Sequence, residues 1–204
     1  LGMPVLHFDV PGPEAPVVTT VLHRRPAEGQ LADSAGVADW LTDFLETPCR
    51  LLYVPSSLAR PVAAPWGREH DRTAFTDGFP VLLIGEGSLA ELNDRLDRPV
   101  PMDRFRPNLV VSGTEPFEED GWLRVRIGNL EFRAVKPCPR CIVTTIDQAT
   151  GDRDPAGEPL ATLAAFRRNE GKVWFGMNLV HEVAGQLSLG DPVEVLSRRD
   201  AQAG

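Results

Sequence analysis

Trp122, Arg124 and Arg126 alternate with Leu123, Val125 and Ile127, Gly128-Asn129 follows, and Leu130 to Val135 can return as a partner strand. Alternation with a period of two specifies a strand, and a two-residue turn containing glycine specifies an antiparallel hairpin. Any fold of this chain has to be built around that pairing. The hairpin delivers the backbone directly into Lys136-Pro137-Cys138-Pro139-Arg140-Cys141-Ile142-Val143-Thr144-Thr145-Ile146-Asp147, which holds two of the three cysteines.

Around the hairpin, Phe79 to Ile84, Asn108 to Ser112, Lys172 to Phe175 and Val193 to Leu196 read as short strands, and Leu160 to Arg168 as a short helix after a turn-rich Asp147 to Gly157. Ser88 with Glu91 three residues on forms a capping box, which predicts a helix through Leu96. Earlier, Val17 to Leu22 reads as a strand and His23 to Gln30 as a polar connection. Val37, Trp40, Leu41, Phe44 and Leu45 repeat at the spacing of one buried helix face, capped by Asp33 or Ser34 and ended by Pro48. Cys49 to Val54 reads as a buried strand. Pro55 to Asp77 reads as a long irregular connection, a kind of segment that more often carries function or a domain boundary. Many short strands with few helices predict an α+β fold, predominantly β, with a barrel-like sheet.

A thiolate is a soft metal ligand, and a neighbouring guanidinium favours a charged thiol or holds a phosphate. The C-x-x-C pair Cys138 and Cys141 leaves three readings open: one cysteine as a cofactor ligand, a redox dithiol, or two inert thiols. Zinc takes four Cys or His ligands, and the 204 residues contain no second C-x-x-C and no H-x-x-x-H. Thioredoxin-type pairs open a helix after a strand, whereas Ile142 to Ile146 is rich in β-branched residues and favours a strand. Cys49 reads as a small apolar packing residue.

The formal charge of -8 and pI ≈ 5.0 argue against a nucleic-acid partner, which requires clustered basic surface. No apolar run approaches the roughly 18 residues that span a bilayer and no signal peptide is legible, so no membrane partner is expected. Three cysteines cannot all pair, which fits a reducing, cytoplasmic setting.

Four blocks stand in order: F-R-P-N at Phe105 to Asn108, K-P-C-P-R-C-I-V-T-T-I-D-Q-x-T-G at Lys136 to Gly151, F-G-M-N-L-V at Phe175 to Val180, and L-G-D-P-V-E-V-L at Leu189 to Leu196. Together they closely resemble the MOSC domain, shared by molybdenum-cofactor sulfurases and the amidoxime-reducing (mARC-like and YcbX-like) proteins. The resemblance covers Phe75 to Leu196. W-L-x-x-F-L ending at Leu45 and C-R-L-L-Y from Cys49 are similar to the later part of the β-barrel that usually precedes this domain. The implied organisation is a partial N-terminal β-barrel-like region over 1–70, a MOSC β-barrel domain over 71–198 and a tail over 199–204.

The resemblance implies binding of the molybdenum cofactor, molybdopterin with molybdenum, and, for the family at large, pyridoxal phosphate binding. In amidoxime-reducing relatives the second cysteine of the block binds molybdenum, which makes Cys141 the implied metal ligand and catalytic residue. Arg140 is implied to hold the cofactor's phosphate or pterin, Arg106 and Asn108 to join that cradle, and Asn178 to close the pterin pocket. Asp77 matches an acidic position before the first MOSC strand and is the candidate proton donor, although Asp77-Gly78 reads equally well as a β-turn. Arg106 could instead pair with Asp103 or Glu115, Asn108 could be a turn residue, and Asp147 is expected to cap the turn that follows it. Pro139 stands where relatives often carry serine. The Lys-Ser pair of longer relatives has no counterpart, since the only lysines are Lys136 and Lys172, so the chain is expected to begin inside the N-terminal barrel.

Two functions of different class follow. The leading expectation is an enzyme, an oxidoreductase that reduces N-hydroxylated compounds such as amidoximes or hydroxylated bases. The other is a carrier of the cofactor, or of a persulfide on Cys141, that turns nothing over. Electrons are expected from a separate ferredoxin or flavoprotein. No cysteine follows Cys141 to build an iron-sulfur centre, and Gly85-Glu86-Gly87 lacks the third glycine of a dinucleotide motif.

Overall fold

In the computed structural model, which describes residues 3–34 and 36–199, the strands sort into three sheets, and the chain divides into two units between Gly78 and Phe79. In the first unit β1 (Val17–Leu22) pairs antiparallel with β2 (Arg25–Leu31), from Val17↔Gln30 to Leu22↔Arg25. The run expected to be a polar connection is therefore mostly a strand. Its buried positions include the small residues Ala27 and Gly29, so it carries no apolar alternation to read. Its turn, His23-Arg24, has φ of 50 and 65°, the left-handed pair that a two-residue hairpin needs and that Asn-Gly usually supplies.

The helix α1 (Val37–Leu45) forms where the apolar spacing predicts, but it buries only Val37. Phe44 is 39% and Leu45 53% exposed, which corrects the expectation of one buried face. Trp40 stacks on Phe44 with ring centroids 5.4 Å apart and donates its indole N–H to the Pro4 carbonyl at 2.9 Å. The N-cap is Gly36, with no side-chain cap from Asp33 or Ser34, and the helix ends at a left-handed Glu46 before Pro48 is reached. The next strand is shorter and more exposed than expected: β3 (Leu52–Tyr53) joins β2 at Gln30↔Tyr53. Within the long irregular segment only β4 (Arg60–Pro61) and β5 (Arg72–Thr73) pair.

The second unit contains β6 (Val81–Gly85), α2 (Glu86–Asn93), β7 (Leu109–Val111), β8 (Trp122–Ile127), β9 (Leu130–Arg140), α3 (Leu160–Phe166), β10 (Arg168–Asn169), β11 (Lys172–His181) and β12 (Val193–Arg198). The sheet order is β12–β8–β9–β11–β6–β7, with β10 paired to β11. Among the described residues only β6 and β7 run parallel. The hairpin closes at Ile127↔Leu130 over a left-handed Gly128. The curled sheet is a half-barrel, and the fold is α+β, predominantly β. One apolar cluster gathers Leu83, Trp122, Val125, Phe132, Met177 and Leu179; a second gathers Ile84, Leu92, Phe105, Leu163, Val173 and Phe175. No helix among the described residues is long and apolar enough to cross a membrane.

The expected capping box at Ser88 does not form. Ser88 lies inside α2, fully buried, and its hydroxyl donates to both carboxylate oxygens of Glu119, at 2.8 and 2.7 Å. Glu119 also accepts the Gly85 N–H at 3.1 Å, while Glu91 pairs with Arg95 on the helix surface. A carboxylate 31 residues away thus serves the helix start, where the backbone dipole favours negative charge.

Burial pushes the Glu119 carboxyl above its ordinary 4.5, against the opposing hydrogen bond from Ser88. The native state therefore holds this proton more tightly than the unfolded chain, and the stability it contributes is complete below about 4.5 and lost as pH rises through the native pKa. Glu119→Gln cannot ionise, so the wild type should lose stability relative to the variant between about pH 4 and pH 8. Urea midpoints at both pH values check this; parallel pH dependence in the two proteins would contradict it.

Candidate functional site

The register pairs β8 with β9 only from Arg124↔Arg133 to Ile127↔Leu130, and beyond Ala134 the ladder of β9 runs to β11. Pro137 and Pro139 stand in that one-sided part, where their missing N–H groups break no second ladder. Opposite them, Met177 pairs with Pro137 and Trp174 with Pro139, so Phe175 and Gly176 together face the single residue Cys138. This is a β-bulge, and Gly176 sits in it at φ 79°. A Cβ on Gly176 would come within 2.7 Å of Ile84 Cγ1 and 2.9 Å of the Leu83 carbonyl, so the position accepts no side chain.

Residues two apart on a strand share a face, and Cys138 and Arg140 do so. Arg140 Nη1 donates to Cys138 Sγ at 3.1 Å, Nη2 donates to the Phe105 carbonyl at 2.6 Å, and the guanidinium lies 5.4 Å from the Phe105 ring centroid. Its Nε is buried and without a partner. Cys141 is still extended, at φ -129° and ψ -178°, and exposed. Three residues of extended chain place Cys138 and Cys141 roughly 10 Å apart on opposite faces. A disulfide requires Cα atoms within about 7 Å, so the redox-dithiol reading does not hold in this backbone.

The β-branched run after Cys141 is a 3-10 turn, Ile142–Thr145, and not the expected strand. Thr144 Oγ1 donates to the Cys141 carbonyl at 2.9 Å and Thr145 Oγ1 to the Ile142 carbonyl at 2.7 Å, local bonds that outcompete a sheet ladder. Asp147 then accepts the N–H groups of Ala149 and Thr150 at 2.9 and 3.2 Å, capping the turn as expected. Those backbone donors, with the Arg104 guanidinium beside them, hold its carboxyl below the usual carboxylate range. Arg104 is buried, and its Nη2 donates to Asp147 at 2.9 Å.

Arg104 and Phe105 belong to the 3-10 turn Met102–Phe105, and Arg106 follows with a left-handed backbone at φ 54°. Among the described residues the Arg106 guanidinium has no ion pair or hydrogen bond, so neither Asp103 nor Glu115 holds it. It lines an open pocket of ≈ 400 Å³ with Met102, Asp103, Pro107, Val110 and Gln148. Asn108 accepts the Leu82 N–H at 2.8 Å and donates its own to the Leu82 carbonyl at 2.9 Å, fastening β7 to β6. Asn178 is buried on β11 between Leu82 and Lys136 and donates to the Pro137 carbonyl at 3.4 Å. The two asparagines thus flank one residue, Leu82. Asp77 lies in the first unit, exposed, with its carboxylate 2.8 Å from His23 Nε2.

Arg140, the Phe105–Asn108 run, Cys141 and Asn178 are thus linked by direct bonds or adjacent positions within the second unit. No group of three or more His, Cys, Asp or Glu side chains gathers for a metal among the described residues, so a metal at Cys141 would need most of its ligands from elsewhere. An exposed thiol, a free guanidinium and an orphaned guanidinium nitrogen fit an anionic group that binds metal through sulfur. Sequence reading overlooked Gly176, Arg104 and the Phe105 carbonyl. A lone glycine inside an apolar strand signals a bulge, whereas the other two carry no sequence signal because their partners are 43 and 35 residues away.

The MOSC domain family matches residues 70–194. The chain is 38% identical over 189 residues to mitochondrial amidoxime-reducing component 1 of Homo sapiens, covering 87% of this chain and 56% of that protein. It is 39% identical over 168 residues to mitochondrial amidoxime reducing component 2 of Bos taurus, covering 76% and 50%. It is also 36% identical over 161 residues to molybdenum cofactor sulfurase of Oryza sativa subsp. japonica, covering 72% and 20%. The chain thus spans about half the length of the amidoxime-reducing relatives it matches.

Gly176→Ala should destabilise the chain by about 2–4 kcal/mol, combining a left-handed backbone cost with overpacking against Ile84. A loss below about 1 kcal/mol by chemical denaturation would show that the bulge can be rebuilt with a side chain.

Proposed function

The chain belongs to the MOSC domain family, and on that premise we propose that it binds the molybdenum cofactor through Cys141 and reduces N-hydroxylated compounds. The observation that carries this reading is the Cys141 thiol, exposed at the end of a long strand and fixed by a turn that closes on its own carbonyl. When bound, the cofactor supplies a sulfur-ligated metal able to change oxidation state by two electrons, as removal of oxygen from an N-hydroxyl group requires.

The chain's own residues supply binding, orientation and protons. Cys141 would be the one sulfur ligand from the protein. Arg106 brings a cation, unpartnered among the described residues, for the cofactor's anionic groups. Arg140 adds positive charge beside the strand end, and its two terminal nitrogens hold Cys138 and the Phe105 carbonyl, hence the approach to Arg106. Asn108 and Asn178 fix the strands from which this cradle projects. Converting an N-hydroxyl to N–H plus water consumes two electrons and two protons; Asp77 is the proposed proton donor, and a separate ferredoxin or flavoprotein the proposed electron donor.

Cys141→Ser should remove bound molybdenum and reductase activity, because a hydroxyl is a harder and far weaker acid than a thiol, whereas Cys138→Ser and Cys49→Ser should keep both. Metal analysis with turnover driven by dithionite or an added redox protein checks this. Full molybdenum in the Cys141 variant would remove the assignment, turnover with NADH alone would remove the separate donor, and bound cofactor without turnover would favour a carrier.

Asp77→Asn should lower turnover about 100-fold at unchanged molybdenum content if the carboxyl delivers a proton. Wild-type turnover in that variant would leave Asp77 as a turn residue bonded to His23.

A further inference from the structure

Cys141 stands one step beyond the last pair of β9 and β11. Val173 pairs with Arg140 and Trp174 with Pro139, so the same register, continued by the extended backbone of Cys141, brings Lys172 opposite the thiol. Opposed residues share a face and alternate residues return to it, which groups Cys141, Pro139, Lys172 and Trp174 on one face of the sheet. The other face is fixed independently. Val173 is buried in the cluster with Phe105, and Arg140 opposite it bonds the Phe105 carbonyl. On the first face Cys141, Pro139 and Lys172 are exposed and Trp174 is half-buried, as that grouping requires.

Lys172 has a seat on this face. Trp174 donates its indole N–H to the Asn169 carbonyl at 3.1 Å, which fixes the ring against β10, and Lys172 Nζ lies 5.7 Å from the ring centroid. A cation within about 6 Å of an aromatic centroid is attracted by the ring. Among the described residues Lys172 forms no ion pair, although acidic side chains outnumber basic ones by 29 to 21 in the chain. Its charge is therefore not spent on an internal carboxylate.

We propose that Lys172 is a further binding residue of the Cys141 site, a cation seated on Trp174 that draws negatively charged ligands to the exposed thiol. This deepens the reading above and rests on Cys141 being the ligand-binding thiol. Arg140 cannot take this role, because its guanidinium is on the other face and bonded to Cys138 and the Phe105 carbonyl. The contribution of Lys172 is one of charge at short range, so it separates ligands of similar shape that differ in charge.

The test measures that selection directly and needs no turnover. The full chain, produced in a host that makes no pterin cofactor, is alkylated with iodoacetate, an anion, or with neutral iodoacetamide, and the rate at each cysteine is read by peptide mass mapping. The ratio of the two rates cancels the thiolate fraction, which both reagents share. At about 10 mM salt the ratio at Cys141 should fall about threefold in Lys172→Gln and about tenfold in Lys172→Glu, while Lys172→Arg keeps it. Cys49, in the first unit, is the internal reference and should keep its ratio throughout. An unchanged ratio at Cys141 in the Gln and Glu variants overturns the proposal, and so does an equal fall at Cys49, which would reveal only the net charge of the chain. Full molybdenum in Cys141→Ser made in a cofactor-producing host would sink the cofactor reading alone, because the alkylation ratio is measured without cofactor and still decides Lys172.

Discussion

The extra residue that Gly176 places in β11 decides which face of the sheet the rest of that strand serves. Val173 and Phe175 point into the cluster with Ile84, Leu92 and Leu163, whereas Met177 and Leu179 point into the cluster with Leu83, Trp122 and Phe132. In an unbroken strand these four alternate residues would share one face. The bulge moves the second pair across the sheet, and β6 answers it by sending Leu83 and Ile84 to opposite clusters. Since the bulge lies opposite Cys138, the same local distortion divides the core and shapes the strand end that leads to Cys141.

That strand end works because β9 remains extended after it has left β8. Extension puts Cys138 and Arg140 on one face, where they bond, and carries Cys141 to the other. The two cysteines are thereby separated in role as well as in space. One is held against a guanidinium that also grips the Phe105 carbonyl, and the other is left open to solvent. Spacing alone leaves a C-x-x-C ambiguous, since a helix would bring the pair together; the backbone conformation between them is what resolves it.

The sequence made the local pairings legible. The hairpin from Trp122, its glycine turn, the strands from Val81, Leu109 and Val193, and the helices at Val37 and Leu160 all follow from periodicity and turn chemistry. It misread places where a distant partner overrides a local preference. Ser88 has the spacing of a capping residue but meets Glu119, and the propensity of Ile142 to Ile146 for a strand yields to two threonine hydroxyls folding back. The strand β2 was hidden for another reason: its buried residues are Ala27, Gly29 and the polar Gln30 and its turn is His-Arg, so neither alternation nor turn composition marks it. Of the candidate site, the blocks around Arg106, Cys141 and Asn178 were visible as residue types. Arg104 and the Phe105 carbonyl were not, because nothing near them in sequence announces a partner.

Arg106 shows how the scaffold sustains an unfavourable residue. A left-handed non-glycine backbone costs about 1–2 kcal/mol, and such strain persists only where the neighbours determine it. Here they do so on both sides. Phe105 is buried, with its carbonyl bound by Arg140, and Arg104 before it is buried against Asp147. Pro107 disfavours a right-handed helical conformation at the residue preceding it, and Asn108 is bonded twice to Leu82. With both flanks fixed, the chain must turn at Arg106, and its guanidinium is left without a partner among the described residues of a chain of net charge -8. The strained turn thus keeps this cation beside an open pocket and away from the acidic side chains of the second unit with which it could pair.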